Sequence, residues 1–124
     1  MAESTDSKQK TLAAFCVQLQ ILSLSKMVEK LGGANLVESL DRQIQAIGRR
    51  QNPYFEISKG RVKHLSADRS WTEYRELLQA AVDFAVHICG RAKIKHLFAK
   101  TTLLLEKRTR HRFQETVQRL QIRF

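Results

Sequence analysis

The sequence holds few residues that interrupt a helix. Proline occurs once, at Pro53, and glycine only five times in 124 residues. Such a composition favours helices over turn-rich architectures. Cysteine is as scarce. Cys16 and Cys89 stand far apart inside apolar stretches, and both read as buried, reduced thiols of an intracellular protein. The opening decapeptide is polar and lacks an apolar centre, so a signal peptide is not expected. No run approaches the ~18 apolar residues of a membrane span. The expectation is a cytoplasmic chain with no membrane partner.

Acidic residues are the remaining shortage. Twelve Asp and Glu face 22 Lys and Arg, a formal net charge of +10. The few carboxylates are scattered and suggest no catalytic pair. The excess is uneven: residues 1–90 carry a surplus of two positive charges and residues 91–124 a surplus of eight. Basicity of this size points to polyanions, nucleic acid first and anionic membrane surfaces second, or to an acidic protein partner.

Enzyme signatures are missing in turn. His64, His87, His96 and His111 have no partners at metal-ligand spacing, and His87 with Cys89 cannot make a zinc site unaided. There is no phosphate-binding glycine loop, no dinucleotide fingerprint and no nucleophile elbow. A non-enzymatic protein is expected, without metal or cofactor.

What the chain does hold is one domain's length of amphipathic segments. Residues 1–7 are small and polar and are expected to fray. Asp6 and Gln9 have capping-box spacing, ahead of Leu12, Phe15, Cys16 and Leu19 at helical intervals. The stretch Ile21–Ser25 is ambiguous. It either continues that helix or links to a new one capped at Ser23 or Ser25, with Met27, Val28 and Leu31 as the buried face. Gly32-Gly33 reads as a helix end. Asn35 with Glu38 is expected to cap the next helix. Leu36, Val37, Leu40, Ile44 and Ile47 form its apolar stripe, Gly48 closes it, and Gln51-Asn52-Pro53 is a stop. Two alternating runs, Tyr54–Ser58 and Arg61–Leu65, flank Lys59-Gly60 and predict a β-hairpin. Ser70 and Glu73 predict a second capping box. Behind it runs a helix with Trp71, Tyr74, Leu77, Leu78, Ala81, Val82, Ala85, Ile88 and Cys89, which Gly90 ends or bends. Ile94, Leu97, Phe98, Leu104 and Leu105 continue the pattern. Phe113, Val117 and Leu120 mark a last helix.

The fold class expected is mainly α with one β-hairpin. The order helix, link, helix, glycine turn, helix, hairpin in the segment Leu22–Leu65 resembles the winged helix-turn-helix superfamily. Val28 and Gly32 sit four apart, as the apolar helix residue and the turn glycine do in that motif, and Tyr54–Leu65 stands where the wing would be. The resemblance covers residues 8–66. It implies a winged-helix-like unit over 8–66 and long C-terminal helices over 67–124, together one compact domain. It also implies a transcriptional regulator that binds double-stranded DNA. Asn35, Ser39, Arg42 and Gln43 would face base edges. Arg49, Arg50, Lys59, Arg61 and Lys63 would meet phosphates or the minor groove. Glu38 and Asp41 put negative charge on the same helix. The C-terminal helices resemble the dimerisation helices of small bacterial and archaeal regulators, which implies a possible homodimer through residues 71–120.

The alternative is a helical adaptor that docks on an acidic partner, with Lys107, Arg108, Arg110 and Arg112 as its basic contact patch. The passage through Ser23–Ser25 discriminates between the two. A turn there favours the winged reading, and one unbroken helix over residues 8–31 favours the adaptor.

Overall fold

A computed structural model describes residues 2–63, 65 and 69–124, with side chains from residue 8 onward. The described residues form five helices and one hairpin. These are α1 (Ala2–Gly32), α2 (Ala34–Gln51), β1 (Glu56–Ser58), β2 (Arg61–Lys63), α3 (Trp71–Cys89), α4 (Arg91–Leu103) and α5 (Lys107–Leu120). The two strands pair antiparallel, with Glu56 opposite Lys63, Ile57 opposite Val62 and Ser58 opposite Arg61.

Helix α1 is the axis of the molecule. It touches every other helix and β2. Ala13, Cys16, Val17, Gln20, Ile21, Leu24 and Val28 are fully buried along it. A helix apolar on most sides must be enclosed by the rest of its chain, and α2, α3, α4 and α5 enclose this one. Lys8–Gly32 also has the length and composition to cross a membrane, with a mean hydropathy of 1.4 over its most apolar window. That departs from the expectation that no stretch would reach this level. Half of that window is packed inside the protein, as in the core helix of a globular fold.

The ambiguity at Ile21–Ser25 resolves as one continuous helix. The serines do not cap. Ser23 donates its hydroxyl to the Leu19 carbonyl at 3.0 Å, one turn back, a bond that lets serine sit inside a helix. Ser25 is buried where the hairpin crosses α1. Ile21 and Leu24, on either side of Ser23, both need burial, and an extended link would leave their backbone without partners. The helix also begins at Ala2, among the residues 1–7 that were expected to fray. Asp6 and Gln9 therefore do not mark its start.

Gly33 alone separates α1 from α2. It occupies the N-cap position of α2, with no side-chain cap bond. This corrects the expectation of an Asn35 cap. Gly48 does not close α2 either. It lies buried within the helix, and a side chain there would run into the ring of Phe55. The helix ends three residues later at Gln51, and the amide of the C-cap Asn52 donates to the Gly48 carbonyl at 2.8 Å. The apolar stripe of α2 is as expected, with Val37, Leu40 and Ile44 buried and Leu36 and Ile47 packed at its edge.

The hairpin turn is Lys59-Gly60, both with positive φ, 52° and 77°. That is the conformation a two-residue hairpin loop needs. Gly60 is required twice over, since a side chain there would also strike Ser25. At the start of α3, Ser70 and Glu73 make the reciprocal capping box, with bonds of 3.2 and 2.8 Å. Gly90 ends α3 and starts α4. The chain then turns at Leu104-Leu105, where a continuing helical pattern was expected. The C-terminus is docked on α3: Gln79 exchanges two hydrogen bonds with the backbone of Arg123, at 2.7 and 2.8 Å.

Candidate functional site

Two solvent-facing surfaces collect the predicted contact residues. The first is the outer face of α2 with the hairpin beside it. Residues 35, 39, 42 and 49 recur at helical spacing on the side of α2 opposite its buried stripe. Asn35, Arg42, Gln43, Arg49 and Arg50 are exposed and Ser39 is half-buried. Ser39 spends its hydroxyl on the Asn35 carbonyl, 3.2 Å away. Arg49 reaches the Phe55 carbonyl through Nε at 3.4 Å, so its guanidinium is partly held. On the hairpin, Lys59, Arg61 and Lys63 are exposed. Lys63 faces Glu56 across the strands.

Asp41 has a structural use that its sequence position concealed. Its carboxylate accepts the Lys59 amide at 2.7 Å and the Gly60 amide at 3.0 Å. It pins the hairpin turn to α2 and fixes the angle between the two parts of this face. The negative charge that counted against nucleic-acid contact is aimed at the turn. Glu38 remains exposed on the helix.

The second surface is the outside of α4 and α5. Lys93, Lys95, Lys100, Lys107, Arg108 and Arg112 are exposed there. At the corner between the two helices Leu103 is 62% and Leu104 79% exposed, well above what apolar side chains of a closed core show. The expectation for Leu104 was a core position. Arg110 is also placed differently from the rest of the predicted patch. It is half-buried and donates to the carbonyls of Leu103 at 3.0 Å and Leu105 at 3.2 Å. It braces the corner, while Lys107, Arg108 and Arg112 face solvent. No run of basic letters could distinguish these roles, because the carbonyls that hold Arg110 come from the end of α4 and from the corner itself.

The apolar stripes of residues 71–120 are used within the chain. Tyr74, Leu77, Leu78, Ala81, Val82, Ala85, Ile94, Phe113 and Leu120 are buried in its own core. Sequence reasoning missed a third feature, a groove between α1 and α5 with Phe15 and Trp71 in it. The signal was present in part: Phe15 is 43% exposed, and it occupies a position counted toward the buried stripe.

Chemistry elsewhere is sparse. Among the described residues, no group of three His, Cys, Asp or Glu side chains is placed to hold a metal ion. His64 lies outside the described residues. His111 meets Glu115 at 3.0 Å on the surface. Cys16 and Cys89 are both free thiols. Compared with protein families, with curated proteins and with solved structures, the chain matches none.

Proposed function

We propose that this chain is a non-enzymatic helical adaptor that docks on an acidic protein partner through the α4–α5 corner. The observation that carries the reading is the exposed pair Leu103-Leu104, flanked along the chain by the exposed cations Lys100, Lys107 and Arg108 with Glu106 as the one exposed carboxylate of the corner. A small apolar anchor with a charged rim is the usual anatomy of a protein interface. The bracing of the corner by Arg110 supports it, since a contact held rigid before binding loses less entropy on association. The unbroken α1 supports it too. With one residue between α1 and α2, the separate first helix of a helix-turn-helix and its usual turn of three or four residues have no counterpart.

The test is affinity capture from nuclease-treated lysate of the source cells. Wild-type chain should retain one stoichiometric acidic protein. The double variant Leu103→Ser/Leu104→Ser should lose it, as should Lys107→Glu/Arg108→Glu, while Arg42→Ala/Arg49→Ala keeps it. Retention of no stoichiometric protein, or retention of the same protein by the Leu103→Ser/Leu104→Ser and Lys107→Glu/Arg108→Glu variants, would overturn the reading.

A second reading, a DNA-binding transcriptional regulator of winged-helix type, is favoured by one specific observation. Eight of its nine predicted contact residues are exposed around a hairpin that Asp41 fixes against α2. Fluorescence anisotropy with duplex DNA at ~50 mM salt, where phosphate contacts are strong, tests it. Saturable binding that Arg42→Ala/Arg49→Ala weakens would favour it. An affinity unchanged by those substitutions would remove α2 from the interface.

A further inference from the structure

We propose that the groove between α1 and α5 is a binding site for an apolar carboxylate, an anion with a hydrocarbon or aryl body. The groove has a volume of about 630 Å³, in the middle of the ~300–1,000 Å³ range of small-molecule clefts and too large for one docked side chain. Lys8, Leu12 and Phe15 line it from α1, Trp71 from α3, and Arg112 and Arg119 from α5. The elements that build it are far apart in sequence, yet each turns a large apolar or a cationic group inward.

Its apolar part is unusual for a surface. Phe15 stays 43% exposed on the most buried helix of the molecule. Its ring is held edge-on by Phe113, with centroids 6.4 Å apart and planes at 80°. Trp71 is fixed in the same way against Tyr74, at 6.3 Å and 76°. Both rings are therefore set in position beforehand, and aromatic faces fixed in this manner take up a hydrocarbon body without first being ordered.

Its charge selects the head group. Among the described residues the lining cations are Lys8, Arg112 and Arg119, against one carboxylate, Glu115, which lies 3.0 Å from His111 Nε2. Arg119 lies 3.8 Å over the Trp71 ring and bonds the side chain of Gln9. It joins the aromatic end of the groove to its cationic edge. An anion bound with its body on Leu12 and Phe15, beside the Trp71 ring that Arg119 covers, would place its carboxylate among these cations. A cationic amphiphile of the same body would be repelled. A second copy of the chain is a poor occupant, because each copy carries +10 and would bring like charge to this rim.

Trp71 is the single tryptophan of the chain, so its emission reports on this groove alone. Titration with decanoate, followed by Trp71 fluorescence and calorimetry, should saturate with a Kd below about 1 mM. Decyltrimethylammonium and acetate should produce no saturable change. Lys8 and Arg112 are exposed, so Lys8→Glu/Arg112→Glu should keep the wild-type circular dichroism and weaken decanoate about tenfold or more. Three results would overturn the proposal: no saturable response to decanoate, an equal response to the cationic amphiphile, or a dimer in sedimentation velocity that shields Trp71. A response confined to an acidic amphipathic peptide would also overturn it, because the groove would then belong to a protein partner.

Discussion

Cys16 and Cys89 are the same side chain in two different solvents. Cys16 is fully buried in α1, and burial pushes its thiol up from 9.0 to about 12. Cys89, at the end of α3, is also raised by burial, but nearby Lys93 pulls it back toward its usual value. The thiolate is the reactive form. At pH 8 a disulfide reagent such as Ellman's should modify Cys89 in the folded protein and reach Cys16 only when urea unfolds it. Modification of both at equal rates would show that the α1 core opens. The raised value also has a stability consequence. Between pH 9 and about 12 the unfolded chain loses the Cys16 proton and the folded chain keeps it. Stability is therefore fully present below pH 9 and falls as pH rises, by about 1.4 kcal/mol per unit within that window. Urea unfolding at pH 8 and pH 10 should show this extra loss in the wild type and not in Cys16→Ala.

At the scale of elements, one carboxylate ties the hairpin to α2. Asp41 accepts two backbone amides of the turn, and bonds to a charged acceptor are stronger than neutral ones. Asp41 is half-buried, so solvent screens part of that strength. Asp41→Ala should cost about 1–2 kcal/mol in urea unfolding, and Asp41→Asn less, because an amide oxygen remains. Amide exchange at Lys59 and Gly60 should accelerate in both variants while exchange along α3 does not. A hairpin equally protected in Asp41→Ala would mean that Gly60 packing on Ser25 holds it unaided.

The same elements show what a sequence can and cannot disclose. The α2 stripe, the Lys59-Gly60 turn and the Ser70–Glu73 box were legible, because each depends on neighbours within a few residues. The continuity of α1 was not. Ser23 and Ser25 carry the same letters as caps, and only their partners, the Leu19 carbonyl and the crossing hairpin, decide against a break. Gly48 misled for a similar reason. Its smallness serves Phe55, which packs against it, and not a helix end. The groove was least legible of all. It requires Phe15, Trp71 and Arg119 to meet, and no local spacing brings α1, α3 and α5 together.

At the scale of the whole molecule, the question is what a net charge of +10 does to a chain this small. The ten basic and two acidic side chains of residues 91–124 lie mainly on the outside of α4 and α5, and close like charges work against compaction. Salt shortens the range of that repulsion to about 8 Å at physiological strength. Urea unfolding should therefore give a stability about 0.5–1 kcal/mol higher in 300 mM NaCl than in 20 mM. Lys95→Glu/Lys100→Glu should be more stable than wild type at low salt and gain less from added salt. A wild-type stability that falls with salt would mean that attractive pairs dominate the surface instead. The sign bears on function. If self-repulsion is the leading electrostatic effect, any acidic partner that covers α4 and α5 relieves it. Binding then stabilises the fold both by mass action and by removing a strain the isolated chain carries. An anion in the α1–α5 groove would relieve only the local share of it, at Lys8, Arg112 and Arg119. Its effect on stability should then saturate while that of an acidic protein partner continues to add.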